Sequence, residues 1–172
     1  MESLGKSVTL DGSPVVRSTA PVTWGGVGTD VQHAVFQLLH QGTVTVPVEF
    51  LLVSESEEGL DPEAHAELVL SGIAQGAALM IGQQSESPER SYAGDRPSGM
   101  IMLGRLDART LGALIAFYEH RTFANAALLG INPFDQFGVE LGKQIARSLG
   151  ESGDSAHLDP STKALIERAG LA

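Results

Sequence analysis

The sequence predicts an α/β fold in which a mostly parallel sheet is flanked by helices in a three-layer sandwich. Runs rich in β-branched residues alternate with longer segments of helical periodicity, and this alternating order is typical of parallel sheets. Twenty glycines in 172 residues mark the turns between these segments. The length fits one domain, which we expect over residues 1–149, followed by a tail over 150–172.

Each element is predicted from its own residues. Val44 to Val53 is rich in β-branched residues, although Pro47 places that strand near an edge or a bulge. Thr29 is a suitable helix cap, and Gly42 a suitable helix end. The predicted elements, in chain order, are a strand over 21–24, a helix over 29–40, a strand over 44–53, a helix over 62–83, a strand over 99–103, a helix over 108–125, a core helix over 133–149 and a short tail helix that begins at Asp159-Pro160.

Composition restricts the classes of function. The formal net charge of -10 argues against a nucleic-acid surface, which needs clustered Lys and Arg. Cysteine is absent, which fits a reducing compartment, and no signal peptide is indicated, so a cytoplasmic location is expected. The uncharged window from Leu68 to Ser85 is interrupted by polar residues and predicts a buried helix instead of a membrane span.

Three segments concentrate reactive side chains. In the first, Glu2 beside Lys6 has the composition of solvated surface, and the residues alone do not favour catalysis there. In the second, a glycine-rich strand-to-helix turn over 25–33 ends at His33. The apolar face of the following helix is predicted to carry Val31, Ala34, Val35 and Leu38, with His33 on another face. His33 is therefore either a ligand-facing residue at the sheet edge or a solvated helix histidine.

The third segment runs from Asn132 to Lys143 and predicts a helix start at Asn132-Pro133. Gln136, Glu140 and Lys143 recur on one face of that helix, which is compatible with a solvated ion pair. Gly138 and Gly142 are poor helix formers that cost about 1 kcal/mol each relative to alanine. Their presence favours a helix that something approaches closely.

These segments, in this order and spacing, resemble the C-terminal portion of the glucose-6-phosphate isomerase family. The most specific match is Phe134-Asp135-Gln136-Phe137-Gly138-Val139-Glu140-Leu141-Gly142-Lys143, and further matches lie at 28–34, 40–43, 96–98 and 118–121. The resemblance extends from Met1 to about Arg147 and implies a sugar-isomerase (SIS) domain. One departure is Leu4, which stands where the family commonly has Asn.

The resemblance also implies roles for particular residues. Glu2 matches the general base that moves a proton between C1 and C2 of the sugar, and His33 matches a histidine that assists ring opening. Lys143 matches a lysine near the ring oxygen and hydroxyls, and Gln136 matches a residue that helps hold the substrate phosphate. The implied reaction interconverts glucose 6-phosphate and fructose 6-phosphate with no metal or organic cofactor.

The family resemblance further implies a homodimer, because the family's histidine reaches the site from the neighbouring subunit. Met1 matches an internal methionine of the family, so we expect a fragment that lacks an N-terminal phosphate-binding domain, or half of a split enzyme with a separate N-terminal half. Such a chain should be inactive or weakly active alone, and poorly soluble. A non-catalytic module of the same fold, for sugar-phosphate binding or dimerisation, is the alternative. No nucleic-acid or membrane partner is expected.

Overall fold

A computed structural model describes residues 1–152 and 158–171 of the chain. The chain forms two compact units. The central unit comprises Val22–Arg121, and the terminal unit comprises Met1–Pro21 together with the chain from Thr122 onward.

Five helices and two strands make up the regular structure of the described residues, together with three short 3-10 turns at 2–4, 88–90 and 137–139. The elements are α1 (Gly28–Gln41), β1 (Val48–Val53), α2 (Pro62–Ile81), β2 (Ser98–Leu103), α3 (Ala108–Leu129), α4 (Glu140–Ser152) and α5 (Pro160–Arg168). The strands pair in parallel, with Val48 opposite Ser98 and Val53 opposite Leu103. Parallel strands need a crossover, and α2 provides it. The predicted parallel sheet with flanking helices is thus confirmed.

Helix α2 packs on the sheet through its glycines. A Cβ atom added at Gly72 would lie 2.7 Å from Cδ2 of Leu52 on β1, and one added at Gly76 would overlap Cε of Met100 on β2. The absence of side chains at these two positions lets the helix approach the strands closely. Leu79, one turn further along, is fully buried.

The other face of α2 is exposed and apolar. Leu70, Met80 and Ile81 each expose more than half of their surface. By length and composition, α2 is the one helix of the described residues that could cross a membrane, which is weak evidence because sheet-covering helices pass the same test. The prediction of a buried helix is therefore correct for the face on the sheet and wrong for the opposite face.

The terminal unit is organised around a small apolar cluster. Leu4 (9% exposed), Ala126 (1%) and Ile131 (2%) form its centre, and Val15, Ala20 and Leu129 pack against them. Leu4, the residue that departs from the family's usual Asn, is thus buried as part of this core. The amide of Leu10 donates to the Gly130 carbonyl (2.8 Å), which ties the N-terminal segment to the end of α3.

Three predictions for α1 and the residues before it are wrong. Residues 21–24 do not form a strand, because no neighbouring strand of the described sheet pairs with them and an unpaired strand is unstable. Thr29 is not the cap of α1: the helix begins at Gly28, and Val27 stands at the cap position. Leu39 is the buried leucine of α1, whereas Leu38 is about half exposed, so the predicted apolar face is rotated by one residue.

The predicted core helix over 133–149 begins seven residues later, at Glu140. Asn132 explains the delay, because its side chain accepts a hydrogen bond from the Phe134 amide (3.0 Å) and donates to Asp135. Such a local turn competes with the first turn of a helix. The apolar Leu141 is 65% exposed, so the prediction of a core helix is also wrong for this residue.

Most other elements lie where the sequence predicts them. The strand predicted over 44–53 is shortened to Val48–Val53, and β2, α2 and α3 match their predictions within a few residues. The tail helix begins at Pro160 as predicted, where Asp159 accepts hydrogen bonds from the amides of Ser161 and Thr162. The Thr162 hydroxyl also donates to Asp159 (2.7 Å), and these hydrogen bonds, that of the hydroxyl foremost, lower the pKa of Asp159. The domain boundary at 149/150 stays a prediction.

Candidate functional site

His33 lies in the central unit, in the second turn of α1, with its side chain exposed. Residues 21–30, which lead into the helix, are exposed throughout. The opposite end of α1 is attached to the unit: Leu39 is 5% exposed, and the Phe36 ring lies 6.5 Å from the Phe50 ring on β1. The helix that carries His33 is thus attached chiefly through its C-terminal half.

Two side chains attach the C-terminal end of α1 to the segment 89–96. Arg96 donates from Nε to the His40 carbonyl (3.2 Å), from Nη2 to the Gly42 carbonyl (3.2 Å) and from Nη1 to Thr45 Oγ1 (3.4 Å). Gln41 Nε2 donates to the carbonyls of Ser91 (2.8 Å) and Glu89 (3.1 Å). We refer to these hydrogen bonds of Arg96 and Gln41 as the α1 anchor.

The His40 ring lies beside the α1 anchor, 5.2 Å from the Tyr92 ring and 6.3 Å from the Phe36 ring. Its partial burial lowers the His40 pKa below the ordinary value of 6.5, and the nearby Arg96 guanidinium lowers it further. The neutral ring is therefore the form that the folded chain prefers.

Acidification should weaken the fold through His40. The pKa of His40 in the folded chain lies below 6.5, so the unfolded chain binds more protons than the folded chain as the pH falls. The stability that neutral His40 contributes is therefore complete above pH 6.5 and is lost as the pH falls toward the folded pKa. The urea midpoint measured between pH 7.5 and 5.5 should fall more for the wild type than for His40→Gln. Equal slopes in the two proteins would contradict this assignment.

Glu2 lies in the terminal unit, in the 3-10 turn Glu2–Leu4, with its side chain exposed. The Lys6 ammonium closes this turn by donating to the carbonyls of Glu2 and Ser3, each at 3.1 Å. Leu4 places the turn on the apolar cluster with Ala126 and Ile131. The backbone that carries Glu2 is therefore held by a buried side chain two residues away.

Gln136 lies in the loop that leaves the same apolar cluster after Ile131. Ile131 is part of the cluster, and the Asn132 turn leads from it to Gln136, whose exposed side chain precedes the 3-10 turn over 137–139. The Phe134 ring lies 6.2 Å from the Phe123 ring on α3, which further positions this loop. Glu2 and Gln136 thus belong to two segments that share one apolar core.

Lys143 lies on α4, in a shallow groove of about 300 Å³ lined by Glu140, Lys143, Gln144 and Arg147. These positions are spaced by three and four residues and so form one face of the helix. Two cations, a carboxylate and an amide thus lie together on this exposed helix face. Neither Glu2 nor Gln136 lines this groove.

The four predicted residues are thus divided between the units, with His33 in the central unit and Glu2, Gln136 and Lys143 in the terminal unit. Sequence reasoning did not assign roles to Arg96, Gln41 or Arg147. The first two lie in stretches that resemble the family, and this was the available signal. Among the described residues no cluster of His, Cys, Asp and Glu could hold a metal ion.

In fold, the chain matches a class of intramolecular sugar isomerases. It aligns over its full length with a crystal structure of a glucose-6-phosphate isomerase from Chlamydia trachomatis, with a TM-score of 0.87 and 37% identity, and covers 34% of that chain. The family model for phosphoglucose isomerase matches residues 1–166. The chain therefore belongs to the phosphoglucose isomerase family, as the sequence motifs predict.

Bacterial relatives are more similar in sequence. The glucose-6-phosphate isomerase of Rhizorhabdus wittichii is 66% identical over 169 residues, which are 98% of this chain and 34% of the relative. That of Novosphingobium aromaticivorans is 61% identical over 172 residues, which are 100% of this chain and 34% of the relative. The chain thus spans about a third of the length of the relatives it matches.

Proposed function

We propose that this chain supplies the residues Glu2, His33, Gln136 and Lys143 to a glucose-6-phosphate isomerase that interconverts glucose 6-phosphate and fructose 6-phosphate. The observation that carries this proposal is the 66% identity to such an isomerase over 98% of the chain. The presence of all four residues at positions matching the family's motifs supports it. A module without catalytic function has no physical requirement for this combination.

In the proposed reaction, the Glu2 carboxylate removes the proton from C2 of the open-chain aldose. The electron pair of the C2–H bond forms the C1=C2 double bond, and the C1 carbonyl oxygen takes up a proton, which gives an enediol. Loss of the proton from the C2 hydroxyl re-forms a carbonyl at C2, and Glu2 returns its proton to C1. The proton moves within one substrate, so neither a redox partner nor a cofactor is needed.

The other residues prepare and stabilise the reacting sugar. His33 would assist opening of the sugar ring, for which an imidazole is suited because it can both donate and accept a proton. The Lys143 ammonium would stabilise negative charge that develops on the sugar oxygens, and the adjacent Arg147 adds positive charge to its groove. Gln136 would donate a hydrogen bond to the phosphate from its exposed loop.

The proposal includes partners. We propose a homodimer in which His33 serves the site of the neighbouring subunit, and a further polypeptide segment that supplies the rest of the phosphate site. The exposed apolar face of α2, with Leu70, Met80 and Ile81, supports contact with another chain or segment. A cytoplasmic location fits the absence of cysteine and the glycolytic substrate.

The test is a chimera in which this chain replaces the matching 34% of the Rhizorhabdus wittichii isomerase. Interconversion of the two sugar phosphates is followed in a coupled assay, and we expect activity within about tenfold of the relative. His33→Ala should lower kcat by about 10²-fold or more, because an acid–base group is lost. His65→Ala, which removes a contact with the Val53 carbonyl at the edge of β1, is the control. A folded, dimeric chimera without activity would refute the proposal.

A further inference from the structure

We propose that Arg96, together with Gln41, is a positioning residue for His33: the α1 anchor sets the direction in which α1 presents this histidine. The inference rests on the proposed function, because it concerns a residue that the proposed reaction uses. In the proposed reaction neither Arg96 nor Gln41 contacts the substrate. Their proposed effect is transmitted through the helix.

The α1 anchor closes the C-terminal end of α1. The last carbonyls of a helix lack intrahelical partners, and the Arg96 guanidinium takes up those of His40 and Gly42. A cation at this end also interacts favourably with the helix dipole. Because a guanidinium is a planar fork of donors, its three hydrogen bonds fix direction as well as distance.

The segment that bears Arg96 is itself held by backbone hydrogen bonds. The amide of Arg96 donates to the Leu79 carbonyl (3.1 Å), and the amide of Asp95 donates to the Met80 carbonyl (2.9 Å). The segment that bears Arg96 is therefore hydrogen-bonded to the end of α2, where Leu79 is fully buried. Tyr92 and Gln83 exchange two further backbone hydrogen bonds (2.7 and 2.9 Å).

Helix geometry makes the anchor decisive for His33. His33 and His40 are seven residues apart, which is about 10 Å along a helix. A tilt of about 6° at the anchored end would displace His33 by about 1 Å. A displacement of this size at a catalytic group can cost about 10²-fold in rate.

The structural test uses amide hydrogen exchange in the complete 172-residue chain. In Arg96→Met, exchange should rise about tenfold or more along the whole of α1, including the His33 amide, because the helix loses its attachment. Gln41→Ala should raise the exchange rate less, but over the same residues of α1. Arg105→Met is the matched control, since it breaks the exposed ion pair between Arg105 and Glu55 and leaves the anchor intact. A rise confined to residues 38–42 would overturn the proposal, because it would indicate a local helix cap only.

The kinetic test uses the chimera described above. Arg96→Met should lower kcat about 10- to 100-fold with KM nearly unchanged, and Arg96→Lys should recover part of the loss. An equal loss in the His33→Ala background would overturn the proposal, because the effect of Arg96 would then not pass through His33. An inactive chimera would refute the proposed function instead, and hydrogen exchange would still decide whether the anchor holds His33.

Discussion

Replacing Gly82 by alanine should strongly destabilise the central unit. Gly82 ends α2 with φ 67° and ψ -167°, a backbone conformation that only glycine adopts readily. A Cβ atom there would also overlap the backbone of Gly94 and Tyr92. Backbone strain of about 1–3 kcal/mol and overpacking of about 1–3 kcal/mol together give about 2–6 kcal/mol.

Thermal unfolding followed by circular dichroism measures this loss, which should lower the Tm by roughly 4–24 °C. Gly112→Ala is the matched control. Gly112 lies inside α3, and nothing lies within 4 Å of an added Cβ atom. Alanine should therefore raise the free energy of unfolding there, by up to about 1 kcal/mol, through its helix propensity. A Gly82→Ala chain as stable as the wild type would show that the turn is not as close as described.

Replacing Glu2 by glutamine should have the largest effect on activity. The substitution keeps size and hydrogen-bonding capacity and removes the carboxylate that the proposed reaction uses as base. General acid–base catalysis contributes about 10²–10⁴-fold to rates, so kcat of the chimera should fall by that factor. KM should change little, because Glu2 is assigned to the reacting carbon and not to the phosphate.

The side chain of Glu58 offers a control of the same chemistry. It is an exposed carboxylate in the acidic loop between β1 and α2, and no role is proposed for it. Glu58→Gln removes one negative charge from the same chain without touching the 3-10 turn of Glu2. Equal losses in the two variants would show that net charge, and not the base, accounts for the effect.

The fold could be predicted where local chemistry decides the structure. The apolar run of β1 and the Asp159 cap of α5 act within a few residues, and Asp61 likewise accepts a hydrogen bond from the Glu63 amide at the start of α2. The candidate site residues came from family motifs instead. Composition and periodicity alone did not distinguish Glu2 from solvated surface.

The errors occurred where the outcome depends on distant partners or on a competing local turn. Residues 21–24 have the composition of a strand, yet a strand forms only beside another. Asn132-Pro133 has the composition of a helix start, yet the Asn132 side chain forms a turn first. The α1 anchor joins residues 48 to 56 positions apart, so no local pattern predicts it.

The most direct test of the account is to let the chimera convert fructose 6-phosphate in D2O and to measure deuterium at C2 of the glucose 6-phosphate formed. If Glu2 carries the proton, its carboxyl exchanges with solvent during the reaction, so deuterium should enter at C2 with wild-type Glu2. In Glu2→Gln, incorporation and conversion should fall together by about 10²–10⁴-fold. Incorporation at an unchanged rate in Glu2→Gln would show that another group is the base and would contradict the account.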